Sequence, residues 1–317
     1  MKPRSHKKQH FVPASYLKAW CDPSAPKGPK QEPYVWVFDK DGGNPRRKSP
    51  ENIFHETDIY TIAMPDGERD LVLEHGLQQL ETEFVRIREN TVSRRQPLND
   101  AQRLWLCAFV AAAHERTPSW REHQRKQWEK PLRMMEDMME WAKTATPAQK
   151  RGAASICAPP SRSAASLDYE QVKSIHREPL QQLMMPMIAS AIPLLSKLDL
   201  AVFGTNDPIG FITSDNPCIW FDPEDYKRPP LYRGPALASK TTEITLPVSP
   251  QQCVCLNQHG LNGYFKATDE LIDEFNRRTR FHACKSFIVC CNQTKPFWFD
   301  PGKDPDDSWD KLHPKKN

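Results

Sequence analysis

The sequence predicts an α+β fold: a central helical bundle packed on a mixed or antiparallel sheet built from N- and C-terminal strands. Three observations predict it. Apolar residues at helical spacing fill the middle of the chain, as in Leu73, Leu77, Leu80, Phe84 and Ile87. Short apolar and aromatic runs bounded by turn residues lie at both ends, as in "PYVWVFD" and "SFIVCCN". Two isolated strands are marginal in water, so the N-terminal run needs the C-terminal strands to complete a sheet. The domain expected on this basis spans residues 1–299, with a helical part at about 68–198 and a sheet part at about 30–62 together with 199–299. Residues 300–317 form a loose charged tail.

Each element has a local cause. In "KKQHFVPASYLKAW", residues 7–20, Pro13 presets the first turn of a short helix that carries Tyr16, Leu17 and Trp20 on related faces. "PYVWVFDKDGGNPRRK" runs apolar up to an Asp-Gly-Gly turn, which predicts a strand and a return strand near "DIYTIA". "DLVLEHGLQQLETEFVRIREN" is an amphipathic helix. "PLNDAQRLWLCAFVAAAHERT" starts after Pro97 with Asn99 or Asp100 as cap and is apolar nearly all round. It is the central helix, with Trp105, Leu106, Phe109 and Val110 almost fully buried, and it ends near Thr117-Pro118. A second amphipathic segment, rich in Trp and Met, runs over 119–143, and "TPAQKRGAASICAPPSRSAAS" is a mobile connector.

From Tyr169 to about Leu198 the pattern is helical again, kinked or divided by Pro179, Pro186 and Pro193. "LAVFGTNDPIGFITSDNPCIWF" then predicts a strand, an Asn-Asp-Pro turn and a second strand. "EITLPVSPQQCVCLN" is a further strand pair interrupted by Pro247 and Pro250, "TDELIDEFNRRTRFHAC" a capped helix and "SFIVCCN" the last strand. No internal repeat occurs.

Composition narrows the function classes. The 44 basic residues against 40 acidic ones give a formal charge of +4, too little by itself to argue for nucleic acid. No run of about 18 apolar residues exists to span a membrane, and no apolar stretch follows the basic start as a secretory signal would. The 9 cysteines include no C-x-x-C pair or zinc-finger spacing, which is the pattern of reduced thiols in a cytoplasmic protein. Nucleotide-binding glycine loops and the G-x-S-x-G elbow are absent.

Three stretches can carry chemistry. His10 can donate, accept or ligate near neutral pH, or it can simply brace its turn while Phe11, Tyr16 and Trp20 pack. "HERTP" sets an acid and two bases at the end of a greasy helix, where they are costly unless paired. Arg116 offers a fork for a carboxylate or phosphate, or it pairs internally with Glu115, Glu81 or the last helix carbonyls. His114-Glu115 is not an H-E-x-x-H zinc helix, because Pro118 stands where the second histidine belongs. "FITSDNPCIWF" ends a strand in Asp215 and Asn216, which either form a tight Asx-type turn or hold a carboxylate and an amide at the sheet margin. "NRRTR" and "KPRSHKK" are solvated basic faces or phosphate contacts.

Taken in order, "HFVPASYLKAW", "HERTPSWR", "FITSDNPCIWF", "LPVSPQQCVCLN" and "FNRRTRFHA" resemble the bacterial family catalogued as domain of unknown function 4238, from residue 6 to about 292. By position the resemblance implies His10, Pro13, Tyr16 and Leu17, then Arg116, then Asp215 and Asn216, then Ser249 and Asn276 as its motif residues. Glu81 is the helix acid most like the family's.

If the fold gathers this set, base, cation, carboxylate and amide suit cleavage of a phosphoryl or glycosyl bond. The expectation is a cytoplasmic hydrolase, nuclease-like, for which a role in bacterial defence would fit. His10 is its general base or acid, Asp215 the orienter of His10 or a metal ligand, Arg116 the anion clamp and Asn216 a fourth catalytic group. Tyr16, Asn276 and Glu81 bind substrate. The sequence names no cofactor, though a divalent metal is compatible with this set, and the partner class is a nucleotide or nucleic acid. It sets no oligomeric state. Two other classes stay open: a non-catalytic binding module for a nucleotide or nucleic acid, and a purely structural polar network.

Overall fold

The computed structural model of the protein describes residues 8–25, 32–64, 66–156, 167–229, 234–237 and 239–300. The basic segment before residue 8, part of the proline-bearing connector (157–166) and the charged tail (301–317) lie outside the described residues.

The chain opens with β1 (Lys8–His10), the single helical turn α1 (Ala14–Leu17), β2 (Val35–Asp39), β3 (Arg46–Lys48), β4 (His55–Thr57), β5 (Ile62–Ala63) and β6 (Arg69–Asp70). The helical part follows as α2 (Val72–Ile87), α3 (Asp100–Glu115), α4 (Pro118–Thr144), α5 (Pro147–Ile156), α6 (Tyr169–Arg177) and α7 (Pro179–Leu195). The last third holds β7 (Asp199–Gly204), β8 (Thr213–Ser214), β9 (Ile219–Phe221), β10 (Glu243–Ser249), β11 (Gln252–Asn257), β12 (Gly263–Lys266), α8 (Asp269–His282) and β13 (Ser286–Val289). The fold is α+β, as expected.

Two larger sheets hold most of the strands, while β1 pairs only with β4 and β5 only with β6. One has the order β12-β7-β11-β10-β9, antiparallel except for the parallel β12·β7 pair. The other has the order β3-β2-β13-β8 and is antiparallel throughout, so the N-terminal strands do complete a C-terminal sheet. Two details correct the strand expectations. The return strand after the Asp-Gly-Gly turn is the polar β3, while "DIYTIA" feeds β5, which pairs with β6. β7 and β8 form no hairpin, because β8 leaves for the second sheet and pairs with β13.

Helix α3 is the core element. Asn99 and Gln102 cap it reciprocally, each side chain accepting from the other's backbone N–H. Leu106, Phe109, Val110 and the run Ala111–Ala113 are buried, while Trp105 is only half-buried. Phe109 stacks on Phe84 of α2 with ring centroids 3.6 Å apart, and Tyr16 lies against both rings. Beyond its first turns α4 is different. Only Trp120 and Gln124 are buried along it, and Met134, Met138 and Trp141 are exposed. Pro179 starts α7 as a first-turn proline, and Pro186 and Pro193 stand inside that helix.

The N-terminal box is driven into this core. The buried Tyr16 hydroxyl donates to the Pro247 carbonyl at 2.6 Å and lies 2.8 Å from the Thr213 hydroxyl, and the Trp20 indole donates to the Phe211 carbonyl. One short segment thereby ties the helices to both sheets.

Candidate functional site

The structure divides the predicted site residues into three groups. His10, Glu81 and Arg116 come together. Their cleft, of ≈ 550 Å³, is lined also by Lys8, Ser15 and Lys18. β1 holds His10 in register opposite His55 of β4, α2 presents Glu81, and the C-terminal residue after α3 supplies Arg116. The Arg116 guanidinium, 2% exposed, donates to Glu81 Oε1 at 2.9 Å and to the His10 carbonyl at 2.6 Å. It also lies over the Tyr60 ring, whose hydroxyl donates to the Arg116 carbonyl. Burial works to lower the Arg116 pKa, but the adjoining Tyr60 and Glu81 outweigh it and raise the pKa above the usual value. Arg116 is thus a permanent internal cation. It fixes the backbone of His10 and one oxygen of Glu81, and the Ser15 hydroxyl donates to the other at 3.4 Å.

The His10 imidazole is kept neutral. Burial first, then the neighbouring His55, push its pKa from 6.5 down to about 4, with the Glu51 backbone and side chain opposing and Lys8 adding to the fall. His55 stands edge-on at 5.4 Å between ring centroids. His10 Nε2 is shut from solvent and has no hydrogen-bond partner. A neutral imidazole can accept a proton through its unprotonated nitrogen once a group reaches that atom.

Asp215, Asn276 and Tyr16 form the second group, and each is spent on structure. The Asp215 carboxylate accepts from the backbone N–H groups of Cys284 (2.7 Å), Lys285 (2.7 Å) and Ser286 (3.1 Å), clamping the link between α8 and β13. Burial raises its pKa against the pull of those three bonds. This corrects the expectation that Asp215 orients His10, whose pKa moves opposite to what a facing carboxylate would cause. Asn276 donates to the Gly210 carbonyl and accepts from Ile212 N–H, and its burial at 1% exposure keeps the rest of the amide from a substrate. The Tyr16 hydroxyl is occupied as described above. Arg116, too, is a clamp within the protein, which corrects its assignment as a substrate anion clamp.

Asn216 falls in the third group. Its amide donates to the His282 carbonyl, and its side chain lines a different cleft with His114 and Glu115. Ser249 lies at yet another surface hollow with Lys18, Arg88 and Arg95. Among the described residues, no cluster of three or more His, Cys, Asp or Glu side chains could hold a metal ion. Nor is any helix there long and apolar enough to cross a membrane.

The fold and this cleft define an α+β protein whose N-terminal histidine box is locked to an internal Arg–Glu pair. The chain belongs to the family described as "Protein of unknown function (DUF4238)", which matches residues 8–294. No curated protein and no solved structure matches it significantly.

Proposed function

We propose that the cleft beside β1 is the active site of a cytoplasmic acid–base hydrolase, nuclease-like, acting on a phosphoryl or glycosyl bond. The observation that supports it is His10: a neutral imidazole with an unpartnered Nε2, held by a segment that Arg116 fixes from behind. In this reading substrate entry opens the solvent-shut Nε2 to the cleft, where His10 accepts the proton of an attacking water, and Glu81 and Ser15 hold substrate hydroxyls. Arg116 is a positioning residue. Lys18, paired with Glu51, and Lys8, bonded to the Glu51 carbonyl and Asn52, exchange these rim partners for an anionic group of the substrate, whose charge near the ring raises the His10 pKa toward neutrality. A nucleotide or nucleic acid supplies such an anion.

The test is a panel of bis(p-nitrophenyl) phosphate, short oligonucleotides and p-nitrophenyl glycosides, assayed with and without magnesium. One member is turned over, and His10→Gln lowers its rate by about 10²–10⁴-fold, the usual contribution of a general acid or base, at an unchanged unfolding midpoint. Wild-type turnover by His10→Gln, or no turnover of any member, overturns the proposal.

A further inference from the structure

The neighbouring residues Arg116 and Thr117 line different clefts. The second cleft, of ≈ 440 Å³, lies where α3 ends and α4 begins, against β9. Its wall includes His114, Glu115, Trp120, His123, Asn216 and Trp220. Nothing in the hydrolase proposal uses it.

Two buried polar groups there lack proper partners. Glu115 is 5% exposed; one oxygen sits 3.4 Å from His114 Nδ1, and the other is shut from solvent with no partner. The Trp220 indole N–H is also buried, finds no oxygen or nitrogen, and lies against the Cys218 sulfur, a weak acceptor. Burying a carboxylate without a cation is expensive, and the obvious cation is engaged elsewhere: Arg116, next in the chain, spends its guanidinium on Glu81 and His10. No lysine or arginine lines the cleft among the described residues. Two indoles stand in an otherwise mostly polar wall: Trp120, and Trp220 under the His114 ring at 5.0 Å between centroids.

We infer that this cleft binds a small organic cation, a primary ammonium or guanidinium group, with Glu115 as counter-ion and the two tryptophans as its aromatic wall. Such a group supplies N–H donors to the Glu115 carboxylate where it borders the cleft, and its charge offsets that of the solvent-shut oxygen. Its charge is attracted by the indole faces, most strongly when desolvated. An anion would meet the Glu115 carboxylate with no cation to receive it. A neutral ligand would leave the buried charge uncompensated.

Calorimetric titration of the full chain tests this with butylguanidinium as probe and the planar neutral butylurea as control. Butylguanidinium binds saturably with a Kd below about 1 mM, and butylurea binds at least about tenfold more weakly. Glu115→Gln, which removes the charge and keeps the shape, weakens butylguanidinium binding by about tenfold or more. Gln127→Trp, at the exposed rim of the cleft, blocks entry without touching the core. An acetylated Gly-Arg-Gly amide tells a peptide side chain from a free small molecule: binding as tight as that of butylguanidinium assigns the former, weaker binding the latter. Absence of saturable binding at about 20 mM butylguanidinium, well above the mM range of weak specific sites, overturns the inference. So does equal binding of butylurea, or wild-type affinity in Glu115→Gln. Should Glu115→Gln fail to fold, wild-type affinity in Gln127→Trp overturns it.

Discussion

Asp215→Ala separates a structural carboxylate from a catalytic one. In the structure this side chain, 6% exposed, accepts three backbone N–H groups from consecutive residues, two of them at 2.7 Å. Hydrogen bonds to a charged group contribute about 1.5–3 kcal/mol each. Cys284 and Lys285 are exposed, so water can satisfy part of what the substitution strips away. The expected loss therefore falls at or somewhat below the low end of the sum, about 3–5 kcal/mol. Asp215→Asn keeps one acceptor oxygen but turns an amide donor toward another donor, for a loss of about 2–3 kcal/mol. Urea unfolding followed by tryptophan fluorescence measures both. A loss below about 1 kcal/mol for Asp215→Ala would refute the clamp, because it is less than a single hydrogen bond to a charged group contributes.

Phe109→Ala empties a position stacked on Phe84 at the centre of α3, and the same assay should show a loss of about 3–5 kcal/mol. Gly210→Ala should cost at least about 3 kcal/mol, since φ is +65° and a Cβ would stand 1.9 Å from the Pro250 carbonyl oxygen. A mild effect there would mean that the 210–212 segment, braced by Asn276, shifts freely. Stability should also fall as pH drops from 6.5 toward 4, because the unfolded chain protonates His10 before the folded protein does. Allowing for partial exposure, the fall attributable to His10 is about 2–3 kcal/mol, and His10→Gln should remove it from the pH profile of the urea midpoint.

The helices were legible because their signals are local. Leu73, Leu77, Leu80, Phe84 and Ile87 mark the buried face of α2, and Asn99 with Gln102 marks the start of α3. Strand partners were less so. β3 reads as polar because Arg47 lies over the Tyr34 and Trp36 rings instead of entering the core, so "DIYTIA" looked the better return strand. β8 is two residues long, and its partner β13 lies more than seventy positions on, a choice that no local pattern records.

The site shows the same limit. His10, Arg116 and Glu81 were all named from the sequence, and they meet. Asp215 was grouped with them because a carboxylate at a strand end looks alike whether it faces a substrate or a row of backbone N–H groups. Glu115, the acid closing the most apolar helix, was read as costly to bury unless paired, with Arg116 as one partner, and was not named as a site residue. Its unpaired oxygen emerges only once Arg116 is seen to turn toward Glu81.

The central claim is that β1 holds a neutral, partner-poor His10 against the Arg116–Glu81 pair, away from the Asp215 clamp. The most direct test is an NMR titration of the histidine ring signals, with His10 assigned by their loss in His10→Gln. The account predicts an apparent pKa near about 4, set by burial and by His55. A value at or above the ordinary 6.5 would contradict it, since that requires a solvated ring or a carboxylate facing it.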